Sequence, residues 1–234
     1  MKKVINFIPS DELTENIIDH PIPSKSVLPD WYKKLHFKNN KNNLWRNPDG
    51  SSNLTIKGCV PVFDTLTSGY IITLPCDVYV NNNQEYVSRF MWEVSWDVVG
   101  THDKFQYGEM KIPDGFEEHP YRWNTKWNIK TPNGYSLLFL HPQYRFDLPF
   151  ITLTGIVDTD IYELPLNLPF LIKEGFEGMI SKGTPIAQVI PIKRDNWKSN
   201  IEKFSKSQKY AIDKLKSIIE RSYKKTVWSK KTYE

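Results

Sequence analysis

Between Thr131 and Arg194 the chain runs as short apolar stretches, at 136–140, 150–157, 164–170 and 186–192, each bounded by Gly, Pro or Asp. Stretches this short, rich in Leu, Ile, Val and Phe and closed by turn formers, fit strands and are too brief for core helices. One of the turns carries paired carboxylates, Asp158 and Asp160. A chain punctuated in this way is confined to a mainly β architecture, a barrel or a sandwich.

The rest of the body extends that pattern. Residues 56–63, 70–74 and 78–80 read as strands between Gly, Pro and Asn clusters. From 86 to 99 the side chains alternate, with Phe90, Trp92, Val94 and Trp96 on one face and Arg89, Glu93 and Asp97 on the other. Residues 100–125 are less regular. Ahead of the body, residues 4–8 read as a short strand. An extended arm follows with Pro21, Pro23 and Pro29, and then a short helix at 29–35 with Trp31 and Leu35 on one face. Residues 38–53 form a polar loop with an Asn-Pro-Asp-Gly turn at 47–50.

The last element has a different period. Trp197, Ile201, Phe204, Gln208, Ala211, Leu215 and Ile218 step by four and three, which predicts a helix. Residues 193–234 hold 13 basic and 5 acidic side chains, against 18 and 22 in the remainder, so the net charge of +4 belongs to this appendage. Three uses are open to it: packing on the body, subunit contact, or a nucleic-acid or membrane-surface helix. The first is favoured, because clustered lysines ordinarily mark a solvated face. The organisation expected is an N-terminal arm at 1–53, a β-rich domain at 54–194, and a helix with a basic tail at 195–234.

Several chemistries lack their residues. Cys59 and Cys76 form no Cys-x-x-Cys pair, and two free buried thiols are expected. The five histidines never recur at metal-ligand spacing, and no phosphate loop or nucleophile elbow occurs. The first residues lack the apolar run of a signal peptide, and no stretch is long and apolar enough to span a membrane. The expectation is a soluble, intracellular protein that is not secreted.

Three segments resemble the dUTPase/dCTP deaminase (β-clip) superfamily. Gly155-Ile156-Val157-Asp158 is similar to the turn that presents the family's catalytic carboxylate, which makes Asp158 the position for the base. Tyr162 corresponds to the sugar-facing ring, one residue late because Ile161 takes the expected place. Gly183-Thr184-Pro185-Ile186-Ala187-Gln188 is similar to the closing strand, with Gln188 as the supporting amide and Pro185 in place of an arginine. Residues 134–142 resemble the strand before the phosphate-binding turn, but the Arg and Ser that should follow Pro142 are Gln143 and Tyr144, leaving Arg145 as a substitute. Ile71 stands where the family has a metal-linked carboxylate, and the Gly-rich closing arm is missing.

The resemblance implies a dUTPase-like β-clip barrel with an N-terminal extended arm and a C-terminal helix. It implies a nucleotide or related phosphorylated ligand, with Asp158 catalytic and Tyr162, Gln188, Asp160 and Arg145 binding. It also implies a homotrimer; no metal-ligating residues are expected, and the cofactor is left open, with Mg²⁺ only where a triphosphate is bound. The losses remove much of the charge stabilisation that phosphoryl transfer needs, so weak or absent turnover is expected and whether the chain is an enzyme stays open. Arm, closing strand and Trp197-Lys198-Ser199 together also resemble uncharacterised tailed-bacteriophage proteins. That likeness suggests a viral origin, in the host cytoplasm or the virion, and supplies no activity. The alternative reading is a virion-structural or interaction module that keeps the β-fold, and the third, from the dUTPase resemblance, is an Mg-dependent nucleoside triphosphate pyrophosphatase.

Overall fold

In the computed structural model residues 3–39, 53–215 and 228–234 are described. The chain divides into two compact units, one made of 1–27 and 69–194 and the other of 28–68 and 195–234. The turn at 47–50, Ile218 and most of the basic tail lie outside the described residues.

The first unit is built from antiparallel strands. They are β1 (Asn6–Pro9), β2 (Ile22–Pro23), β3 (Tyr70–Thr73), β4 (Val78–Val80), β5 (Phe90–Trp92), β6 (Val99–Thr101) and β7 (Tyr121–Asn124). They continue with β8 (Trp127–Lys130), β9 (Tyr135–Leu140), β10 (Phe150–Thr152), β11 (Gly155–Val157), β12 (Asn167–Ile172), β13 (Gly178–Ile180) and β14 (Pro185–Lys193). The helix α1 (Glu12–Glu15) follows β1, capped by Asp11, whose carboxylate accepts the Thr14 N–H at 2.8 Å.

These strands make four sheets, in the orders β1-β8, β10-β12-β7-β6, β11-β9-β14-β3-β2 and β13-β4-β5. The expected closed barrel is therefore not present among the described residues. Closure needs every strand paired on both sides. Here β2 and β11 are free edges of the largest sheet, and β2 ends on Pro23, which has no N–H to donate.

One apolar core is shared by the sheets of this unit. Trp123 and Phe170 stack at 3.9 Å with rings 9° apart, and Phe150, Tyr121 and Phe90 pack edge-on or stacked around them. Each such ring removes on the order of 150–250 Å² from water, roughly 4–6 kcal/mol before ordering entropy is subtracted. In β14, Pro185 to Val189 pair with β3, whereas Pro191 lies beyond that pairing and faces β9 alone. A missing N–H is tolerated there.

Several expected elements differ. The stretch 56–63 is not a strand: it belongs to the second unit as a 3-10 turn (Ile56–Gly58) and the helix α3 (Val60–Thr67). Pro61 in the first turn is preorganised for a helix. The Thr65, Thr67 and Ser68 hydroxyls bond back to the carbonyls of Pro61, Phe63 and Asp64, which satisfies these hydroxyls within the helix. The span 86–99 is broken into a 3-10 turn (Tyr86–Arg89), β5, bends and the start of β6, yet burial still alternates from Phe90 to Trp96. Arg89, expected on the polar face, is buried. The strand expected at 164–170 sits slightly later, as β12. Cys59 is exposed, and only Cys76 is a buried thiol.

In the second unit α2 (Asp30–Lys34) buries Tyr32 rather than the Trp31 face. The C-terminal helix, α4 (206–215), begins later than its apolar stripe predicts. Ser205 and Gln208 form a reciprocal cap: the Ser205 N–H donates to the Gln208 side chain at 3.0 Å, and the Gln208 N–H to Ser205 Oγ at 3.2 Å. That cap starts the helix, and leaves Trp197, Ile201 and Phe204 exposed in irregular chain before it. Trp228 returns to α3, its indole N–H on Asp64 at 2.8 Å, with Lys231 on the same carboxylate.

Candidate functional site

β11 pairs with β9 so that Val157 faces Leu137, and the chain leaves the sheet beside Ser136. Ser136 is buried, and its hydroxyl donates to Asp158 Oδ1 at 2.6 Å. The Asp158 carbonyl accepts the N–H groups of Ile161 and Tyr162, closing a tight turn. Thr159 is buried under the tip, 2.8 Å from the Thr131 hydroxyl. Thr131 gives its own proton to the Tyr135 carbonyl, so Thr159 is the donor between them.

Asp160 is the most tightly held group of the tip. Its side chain is only 5% exposed and accepts the Gly134 N–H at 2.8 Å. Arg194, the residue after β14, grips both of its oxygens, Oδ1 at 2.7 Å. The same guanidinium reaches Ser136 Oγ at 3.1 Å, the Tyr135 carbonyl at 3.2 Å and Asp158 Oδ1 at 3.3 Å. The Arg194 hydrogen bonds, with that of Gly134, hold the Asp160 carboxyl down to about 2, and Asp160 in turn raises Arg194. Asp158 differs in staying 54% exposed. In the sequence Arg194 stands out only as part of a basic appendage. The β14–β9 register, with Lys193 opposite Tyr135, is what carries it to the hairpin.

The other candidates lie elsewhere. On β9 the register seats the Asp158 turn beside Ser136 and Gln188 opposite Leu140, four residues further, or roughly 13 Å along the strand. Gln188 is buried, and its Oε1 accepts the Gln143 N–H at 3.2 Å, which supports the turn after His141. Arg145 is held in a two-pronged pair with Asp147, at 2.9 and 2.8 Å, and lowers that carboxyl. Its carbonyl lies 3.1 Å from His141 Nε2, and burial pushes the His141 pKa down. Tyr162 is partly exposed on the Asp158 turn. Thus Asp158, Asp160 and Tyr162 come together, while Gln188 and Arg145 form a second group at the far end of β9.

A metal does not fit the acidic tip. Both oxygens of Asp160 face N–H donors, and a cationic guanidinium already stands between the carboxylates. No cluster of three or more His, Cys, Asp or Glu suited to a metal occurs among the described residues. No helix among them is long and apolar enough to cross a membrane. Two described clefts, near Tyr86 and His119, are lined by none of the five candidates.

No protein-family model matches the chain, and no curated protein matches it. Among solved structures it is similar to a mutant dUTPase from phage phi11 of S. aureus, a structure that describes the coordination of a structural Mg(II) ion. The identity is 10% over 87% of this chain and 97% of that one, with a TM-score of 0.38.

Proposed function

We propose that the chain is a divergent dUTPase-like phage protein that binds a nucleotide or related phosphorylated ligand at the hairpin tip and does not turn it over efficiently. The observation that carries this reading is the pairing of the two arginines nearest the candidate residues: Arg145 is committed to Asp147 and Arg194 to Asp160. Phosphoryl transfer is accelerated mainly by cations aimed at the charge of the transition state, and here those cations already face carboxylates. Asp158 Oδ1 is likewise taken by Ser136 and Arg194, which leaves recognition through an exposed carboxylate rather than proton transfer. Tyr162, on the same turn, offers the ring beside it for a base or sugar.

The resemblance makes a homotrimer the first assembly to look for. A second reading, an interaction module that keeps the β-fold, is favoured by the exposed Ile156, Ile161 and Leu164 around this tip on the free edge β11.

Thermal unfolding with dNTPs, NTPs and cyclic nucleotides, with and without Mg²⁺, tests the first reading alongside a pyrophosphate-release assay. A rise in melting point without release supports it. Release that is abolished by Asp158→Asn restores the enzyme reading. If no nucleotide shifts the melting point and Ile161→Asp dissociates an oligomer, the interaction module takes its place.

A further inference from the structure

The amide-rich loop Asn81-Asn82-Asn83-Gln84-Glu85 runs into Tyr86 at the edge of a cleft of about 420 Å³, within the range of small-molecule sites. A neighbouring cleft of about 730 Å³ shares Tyr86 and His119 and adds Phe105, Tyr107 and Met110. Asn81 and Asn82 are used internally. The Asn81 side chain accepts the Asn83 N–H, and the Asn82 amide spans the Gly175 carbonyl and Arg89. Gln84 and Glu85 are left exposed.

Tyr86 is held at φ 55°, a left-handed conformation that a bulky residue adopts only under strain, and its ring stays 59% exposed. It meets His119 edge-on at 4.9 Å, and His119 meets Tyr121 at 4.6 Å. Beneath them Arg89, 6% exposed, pairs with Glu117 at 2.5 Å, yet its Nε–H meets no acceptor of hydrogen-bond geometry among the described residues. The Tyr107 hydroxyl is also buried with no partner among the described residues.

We propose that this cleft binds a neutral saccharide. Charge argues against an anion, because Arg89 and Lys111 are outnumbered by Glu85, Glu109, Glu117 and Glu118. A cation would meet the Arg89 guanidinium on the floor. A flat base is held best between two parallel faces, whereas the rings here stand 67° and 55° apart. A puckered ring of hydroxyls suits one exposed aromatic face. It also suits mixed amides, carboxylates and hydroxyls, because each hydroxyl both donates and accepts.

The test uses the full chain and a panel of neutral mono- and oligosaccharides, followed by saturation-transfer NMR and calorimetry. At least one sugar is expected to bind. Tyr86→Asn, which suits the left-handed backbone, should weaken that binding about tenfold with the melting point preserved. Gln84→Ala should weaken it several-fold. Nucleotide binding in the same Tyr86→Asn protein should be unchanged, so the two sites stand or fall separately. The proposal is overturned if no sugar binds at millimolar concentration, if Tyr86→Asn binds as the parent does, or if nucleosides compete for the cleft.

Discussion

Gly69→Ala offers the sharpest measure of how the large sheet is joined to the chain before it. Gly69 sits at φ 73°, and a Cβ there would stand 1.9 Å from the Val189 carbonyl oxygen and 2.8 Å from its carbon. Both atoms belong to the backbone of β14, the central strand, so no side chain can swing away. The left-handed conformation costs alanine about 1–2 kcal/mol, and forcing the two backbones apart about 1–3 kcal/mol more. The expected loss is therefore about 2–5 kcal/mol, or roughly 4–20 °C in melting point for a unit of this size. Gly183→Ala is the control, since Gly183 has φ 79° with nothing within 4 Å of the added carbon. It should lose only about 1–2 kcal/mol. The stiffening of the unfolded chain by alanine is common to both and cancels. Calorimetric scans of the two variants decide the matter: equal losses would show that backbone proximity at Gly69 carries no energy.

Acid should weaken the protein in two stages. Burial lowers the pKa of His141, His119 and His102 below 6.5, so their contribution is complete above about that pH and declines as pH falls below it. Asp160, held near 2 against 3.8, contributes fully above about pH 4 and loses that contribution as pH falls through about 2. Denaturant titrations from pH 8 to 2 should show both stages, and Arg194→Gln should flatten the lower one; an unchanged lower stage would contradict the clamp. Ser205→Ala should cost the α4 cap about 0.5–2 kcal/mol, seen as faster amide exchange across 206–215, with no change expected elsewhere. A thiol reagent should modify Cys59 promptly in the native protein and Cys76 only after denaturation, because burial raises the Cys76 thiol.

Much of the β-rich unit is legible in its residues. The runs that became β3, β4, β9, β10, β11 and β14 stand out by apolar content and turn boundaries. The inward set Phe90 to Trp96 is correct even where the strand is broken, because alternation reports burial rather than pairing. The Ser205–Gln208 cap was also readable as a helix start, and was masked by a longer apolar stripe. The helix at 60–67 is hidden because Val, Phe and Thr favour strands locally, while Pro61 in the first turn favours a helix start.

Sequence alone determined what neighbouring residues decide among themselves: the β class and the tight turn at Asp158. Tertiary structure alone decided what each charged group is for. Arg194 and Asp160 are 34 residues apart, and Arg89 and Glu117 are 28 apart. Periodicity and turn chemistry act over a few residues, whereas ion pairs follow strand register, which only the folded sheets establish.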